Sequence, residues 1–193
     1  CALPIYNGDV QVGIYETDKD GQIYVEGLKF GDYYFKEVET KEGYVLDDKP
    51  VQFQITEHDK TVELTKENRK IEAPVEITKT DVSTGEVLPN TGIKIYGEDG
   101  KTVIKEGRTD DTGKFTFNLE YGKYFFQEFE APEGYVIDES LFPFEIKTDG
   151  EIVKCQMTNK KIQGTLEITK TDVSDGKLLP NTTFAIYNTD KNG

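Results

Sequence analysis

Glu76-Ile77-Thr78-Lys79-Thr80-Asp81-Val82-Ser83 recurs letter for letter as Glu167-Ile168-Thr169-Lys170-Thr171-Asp172-Val173-Ser174. The offset of 91 returns in Leu88-Pro89-Asn90-Thr91 against Leu179-Pro180-Asn181-Thr182, in Gly43-Tyr44 against Gly134-Tyr135, in Glu37 against Glu128 and in Asn68 against Asn159. Only the loop before Thr17 and Thr109 slips, by one residue. The chain is therefore one small unit repeated, seen out of phase. Residues 1–71 hold a repeat without its first strand, residues 72–161 a complete repeat, and residues 162–193 the opening of a third.

Working outward from the quoted string, short alternating segments bounded by Gly-containing turns predict strands near 74–81, 92–97, 101–106, 114–119, 123–130, 141–147 and 151–159. No stretch carries a convincing helical period. Seven short strands in about 90 residues predict an all-β fold of tandem, Ig-like antiparallel β-sandwiches. The linkers, Asn68–Pro74 and Asn159–Gly164, are short and poor in Ser and Gly, so successive repeats should follow each other closely.

Strand parity then exposes an oddity. Side chains two apart share a face, so Lys79 shares the apolar row of Val75 and Ile77. Glu128 ends the row Tyr124, Phe126, and Asn159 ends the row Val153, Cys155, Met157. The other copies repeat the pattern in Tyr33-Phe35-Glu37, in Val62-Leu64-Asn68 and in Leu166-Ile168-Lys170. One polar residue closing an apolar row is a strand reaching the rim; three in one repeat, echoed in the copies, ask for chemistry. Burial disfavours the charged form of an ionisable group, and a neutral lysine amine is a nucleophile. If Lys79 Nζ meets the side-chain carbonyl carbon of Asn159, attack and loss of ammonia leave an amide cross-link, with Glu128 as acid and base.

Composition narrows the alternatives. Lys plus Arg number 23 against 37 Asp plus Glu, a net charge of −14. That excludes a phosphate-neutralising surface for nucleic acid and an affinity for anionic membrane. Only 35% of residues are hydrophobic, yet Tyr and Phe number 11 each, too aromatic for a disordered acidic chain and suited to thin β-domains with small cores. No 18-residue apolar run spans a membrane, and no basic-then-apolar leader stands at Cys1–Val10. The single histidine, His58, lies in a polar turn, and Cys1 and Cys155 read as free thiols. No metal, no cofactor and no phosphate loop is expected. Leu88-Pro89-Asn90-Thr91-Gly92 matches the LPxTG pattern of sortase substrates, but an alternating strand follows it and the second copy ends in Thr183.

The strings Ile77-Thr78-Lys79-Thr80-Asp81, Glu128-Phe129-Glu130-Ala131-Pro132-Glu133-Gly134-Tyr135 and Thr158-Asn159-Lys160 together resemble the Cna B-type (SpaA-like) domain of Gram-positive surface adhesins and pilins. The resemblance covers nearly the whole chain. It implies an intramolecular isopeptide bond between Lys79 and Asn159 assisted by Glu128, on an extracellular protein anchored to the cell wall through a part outside this chain. The first repeat departs from the pattern, with Thr40-Lys41 where the second has Ala131-Pro132.

Glu37 and Asn68 are expected to lack a lysine partner, and Lys170 to lack both Glu and Asn. The chain then reads either as a window on a longer array or as a molecule whose tail completes a neighbour, joining Lys170 to Asn68 in a covalent fibre. The window reading is preferred, because Phe184–Asn188 duplicates Leu3–Asn7 and the two would compete for one strand position. The function expected is a structural stalk, not a turnover enzyme, with neighbouring repeats as partners. Its rivals are a module binding a host matrix protein or glycan, for which no residues stand out, and a glycosidase using paired carboxylates such as Asp47-Asp48 or Asp110-Asp111.

Overall fold

The computed structural model describes residues 1–187; positions 188–193, the end of the expected third instalment and of the Phe184–Asn188 duplication, lie outside the described residues. Cys1–Lys161 make one unit, and a second begins at Ile162. The first unit holds β1 (Ala2–Asn7), β2 (Val10–Glu16), β3 (Gly31–Phe35), β4 (Val51–Ile55), β5 (Glu72–Asp81), β6 (Gly92–Tyr96), β7 (Val103–Arg108), β8 (Lys114–Glu120), β9 (Gly122–Glu130), β10 (Phe142–Ile146) and β11 (Val153–Asn159).

Residues 72–161 build the expected sandwich. A four-stranded antiparallel sheet runs β10-β9-β6-β7, and a three-stranded sheet runs β11-β5-β8. Between them lies a core of Val75, Ile77, Ile93, Ile95, Phe126 and Met157 with their neighbours. The alternating row of β5 is fully legible in its burial: Ala73, Val75, Ile77, Lys79 and Asp81 face inward and the residues between them do not. Phe126 stacks on Phe142 with ring centroids 5.2 Å apart, an offset pair of the kind that aromatic-rich thin cores use.

Three details differ from the sequence expectation. β5 and β11 pair in parallel, Lys79 beside Met157 and Asp81 beside Asn159, inside an otherwise antiparallel domain. Parallel neighbours need a long connection, and here it is the whole repeat. β7 begins at Val103, because Asp99 Oδ1 accepts the amides of Lys101 and Thr102 and holds those residues in the turn. β11 begins at Val153, since the Thr148–Gly150 turn extends to Glu151, whose amide reaches Thr148 O at 3.4 Å.

The first repeat carries one sheet only, β2-β1-β3-β4, the counterpart of β7-β6-β9-β10. The stretches equivalent to β8 and β11, residues 22–29 and 60–68, form no strand. The parity row of Val62, Leu64 and Asn68 is therefore not a strand here; Val62 is 41% and Leu64 46% exposed. The cause is topological. In the complete repeat β5 is the middle strand of its sheet, so without it both flanking segments lose every ladder bond. The row of Leu166, Ile168 and Lys170 likewise forms no strand, with no partner strand among the described residues of its own unit.

The two repeats of the first unit meet directly. Arg69 makes paired hydrogen bonds to Asp149 at 2.7 and 2.5 Å, Ile71 N donates to Gly43 O, and Tyr121 OH donates to Glu42. One turn sets the position of β5. Gly113 sits at φ +71, and a Cβ there would stand 2.8 Å from Lys79 O, the carbonyl of the residue whose amide already donates to Gly113 O. Gly113→Ala is expected to cost about 2 kcal/mol and lower the melting temperature of the repeat by about 10 °C in a thermal melt.

Candidate functional site

Lys79 comes from the middle strand of one sheet, Asn159 from the end of the parallel strand beside it, and Glu128 from β9 in the opposite sheet. The sandwich thus brings three separately encoded residues to one point. Lys79 is 0%, Glu128 1% and Asn159 3% exposed, so water does not screen the group. Lys79 Nζ donates to Asn159 Oδ1 at 2.5 Å and to Glu128 Oε2 at 3.4 Å. Asn159 Nδ2 donates to Glu128 Oε1 at 2.6 Å. Glu128 Oε2 also accepts the backbone amide of Asp138 at 2.9 Å, which fixes the carboxylate from behind. No buried side-chain polar atom among the described residues is left without a partner.

Burial pushes the Lys79 amine below the usual lysine range, against the attraction of Glu128, which raises it. That is the direction a nucleophilic amine needs. Nearby, Asp81 is buried and held below the usual carboxylate range by the amides of Ser83 and Thr84 and by Tyr135 OH, 2.9 Å away. It anchors the loop after β9 to the end of β5, beside the Lys79–Asn159 pair.

The first repeat keeps two-thirds of this site. Glu37 is 1% exposed, and Asn68 Nδ2 donates to its Oε2 at 2.6 Å. Asp47 N donates to the same oxygen at 3.1 Å, whereas in the complete repeat the Asp138 amide and Asn159 Nδ2 sit on different oxygens of Glu128. Glu37 and Asn68 therefore have each other, and no lysine among the described residues pairs with Glu37. The thiol of Cys1 donates to the remaining oxygen, Glu37 Oε1, at 2.9 Å. Lys170 in the second unit is exposed, and its carbonyl accepts Leu179 N at 2.9 Å.

Sequence reasoning missed the amides of Asp138 and Asp47, since a backbone donor leaves no side-chain signature. A signal was present all the same: Gly134-Tyr135-Val136-Ile137-Asp138 and Gly43-Tyr44-Val45-Leu46-Asp47 keep Asp at one place in both copies. The other motifs are structural. In the LPxTG match, Leu88 is 5% and Thr91 0% exposed, and Gly92 opens β6, so the Thr–Gly bond is inside the fold. Asp110 Oδ1 accepts the amides of Thr112 and Lys114, and Asp47 accepts Lys49 N and pairs with Lys66 at 3.1 Å, which makes them turn caps. No group of acidic, His or Cys side chains among the described residues is arranged to hold a metal ion. Cys1 and Cys155 are both free.

A sandwich whose first and last strands lie side by side, with a lysine, an amide and a carboxylate sealed between its sheets, defines a class of small β-domains. The model of the SpaA prealbumin-like fold domain matches residues 3–70 and 73–161, and the chain belongs to that family. Among solved structures it is similar to the TIE protein of Bacillus anthracis, at 40% identity and TM-score 0.83, over 91% of this chain and 33% of that one. It is similar also to BcpA, the major pilin subunit of Bacillus cereus, at 32% identity and TM-score 0.43, over 46% of this chain and 28% of that one. A Streptococcal ancillary pilin matches at 28% identity and TM-score 0.42, over 83% of this chain and 57% of that one. This chain thus spans about a third of the TIE protein it resembles. A search among curated proteins found no match.

Proposed function

We propose that residues 72–161 join Lys79 to Asn159 through an intramolecular isopeptide bond, and that the chain is a load-bearing stalk segment of a Gram-positive cell-surface or pilus-like protein. The observation that carries this reading is the reach of Glu128, whose two carboxylate oxygens touch the attacking and the leaving nitrogen at once. A proton passes from Lys79 Nζ to Glu128. The freed amine attacks Cγ of Asn159, and a new C–N bond forms. Glu128 gives that proton to Nδ2, the old C–N bond breaks and ammonia leaves, and Glu128 then takes the second proton that Nζ sheds as the amide forms. The site acts once and its product becomes part of the fold, so this is not a turnover enzyme.

The mechanical reading follows from the strand order. With β5 and β11 parallel and tied near their ends, tension entering at Glu72 runs to Lys79, crosses the bond and leaves at Asn159. The residues between them carry none of it. The family match and the resemblance of the motifs to surface adhesin domains support an extracellular setting. Both copies keep the Glu–Asn pair and differ in their loops, which supports spacing over recognition of a host ligand.

Replacing the leaving group tests the chemistry. Asn159→Asp starts about 1 Da heavier and would lose water, about 18 Da, instead of ammonia, about 17 Da, so both proteins should converge on one product mass. Asn159→Ala should keep its full sequence mass. A wild type and an Asn159→Asp variant that both retain full mass would overturn the proposal.

A further inference from the structure

The segment after β9 ties the three site residues together. Tyr135 forms a bridge with Lys161, and Val136 N donates to Lys160 O at 2.9 Å, so the segment lies along the two residues that follow Asn159. Tyr135 OH donates to Asp81 Oδ2 at 2.9 Å, and Asp81 stands two places beyond Lys79 on the same inward row of β5. Three residues further on, Asp138 N donates to Glu128 Oε2 at 2.9 Å. Residues 135–138 thus form a strap, hydrogen-bonded to the strand that carries the amine, to the continuation of the strand that carries the amide and to the carboxylate of the opposite sheet.

The first repeat builds the same strap. Tyr44 bridges Lys70, Val45 N donates to Arg69 O at 2.9 Å, and Asp47 N donates to Glu37 Oε2 at 3.1 Å. In both copies the Asp side chain closes the turn that follows its own amide: Asp138 Oδ1 accepts Ser140 N at 3.0 Å, and Asp47 Oδ1 accepts Lys49 N at 3.1 Å.

Packing holds the strap only weakly, because Val136 and Ile137 are exposed. Hydrogen bonds therefore set its position. The Asp81 end is firm: the group is buried, and its other oxygen accepts Ser83 N at 2.7 Å and Thr84 N at 3.1 Å. Burial and the bond to Asp81 push the Tyr135 phenol above its ordinary range, so it keeps the proton it donates. The other end of the strap bears on the chemistry. Glu128 must keep its two oxygens on two nitrogens at once, and the 3.4 Å contact of Oε2 with Lys79 Nζ is the longest in the site. Oε2 is the oxygen that the strap holds, and a small turn of the carboxylate would take it out of hydrogen-bond range.

The geometry points to Tyr135 as a positioning residue: its bond to Asp81 pins the strap, and the strap keeps Glu128 Oε2 within reach of Lys79 Nζ. The inference rests on the isopeptide chemistry proposed above, in which Tyr135 itself neither gives nor takes a proton.

Tyr135→Phe keeps the ring and removes only the hydroxyl. The full chain, isolated from inclusion bodies in denaturant at its full sequence mass, is diluted to refold and quenched in acid at intervals from milliseconds to hours. Tyrosine fluorescence follows folding, and intact mass follows the loss of ammonia, about 17 Da. Wild type and Tyr135→Phe should fold at similar rates, with the variant losing ammonia about ten to a hundred times more slowly. Tyr124→Phe removes a hydroxyl bonded to Glu120 O at 3.0 Å, at the other end of β9, and should match the wild type in both. In the folded proteins the Asp138 amide should exchange about tenfold faster in Tyr135→Phe, with the amides of β5 unchanged. Loss of ammonia at the wild-type rate in Tyr135→Phe would overturn the inference, and unchanged exchange at Asp138 would detach Tyr135 from the strap. Folding slowed by the same factor as the bond would also overturn it, since the hydroxyl would then be structural only. A wild type that folds and keeps its full mass would instead overturn the chemistry, and the positioning role with it.

Discussion

Glu128→Ala is expected to leave Lys79 and Asn159 unjoined and to lower the melting temperature of the second repeat by about 20 °C or more. Two effects add. A tie between residues 80 apart in sequence removes about 4–5 kcal/mol of chain entropy from the unfolded state, by the loop-closure argument that serves for disulfides. In a domain of about 90 residues each kcal/mol moves the midpoint by about 4–8 °C. The variant also leaves the buried Lys79 without its carboxylate, and removing one partner of a buried pair costs about 3–5 kcal/mol more. Glu128→Gln separates the two effects, because it keeps the shape but cannot take the proton. It should lose the bond in full and less stability than the alanine variant. Calorimetry on the three proteins reads the melting temperatures, and intact mass reads the bond. A Glu128→Ala protein that is still lighter than its sequence by one ammonia would remove Glu128 from the mechanism.

The second large effect is the contrast between the repeats. In the purified chain, backbone amides of residues 22–29 and 60–68 should exchange at least about a thousandfold faster than those of β5, β8 and β11. Unpaired segments open at almost no cost, whereas the ladder amides of a cross-linked sandwich open only with the domain. Proteolysis should follow the same line, cutting at Lys29 and Lys60 while residues 72–161 survive. Equal protection across both copies would mean that the first repeat does not depend on a middle strand.

Much of this was legible in the sequence, for reasons particular residues make plain. The 91-residue period and the turns at Gly85, Gly113, Gly122 and Gly134 placed the strands of the complete repeat to within about two residues, since alternation and positive-φ glycines are local signals. The inward row ending in Lys79 was legible for the same reason: parity along one strand needs no knowledge of the partner. What local signals could not supply was pairing. Nothing near Asp81 or Asn159 announces that the first and last strands lie side by side in parallel, because their adjacency is set by the closure of the whole sandwich.

The failure at residues 60–68 has the same origin. Val62 and Leu64 alternate as well as Val153 and Cys155 do, but an alternating segment becomes a strand only beside a neighbour that takes its backbone bonds. The Cys1 thiol on Glu37 was equally out of reach, since that contact joins two distant segments. At the complete site the three side chains that the sandwich brings together were readable, and the amide of Asp138 that holds Glu128 was not.

The central claim is a covalent bond, and mass reports it most directly. The intact chain should be about 17 Da lighter than its sequence, and a digest should yield one branched peptide carrying Lys79 and Asn159. A chain of full sequence mass, with the Lys79 and Asn159 peptides recovered separately, would contradict the account.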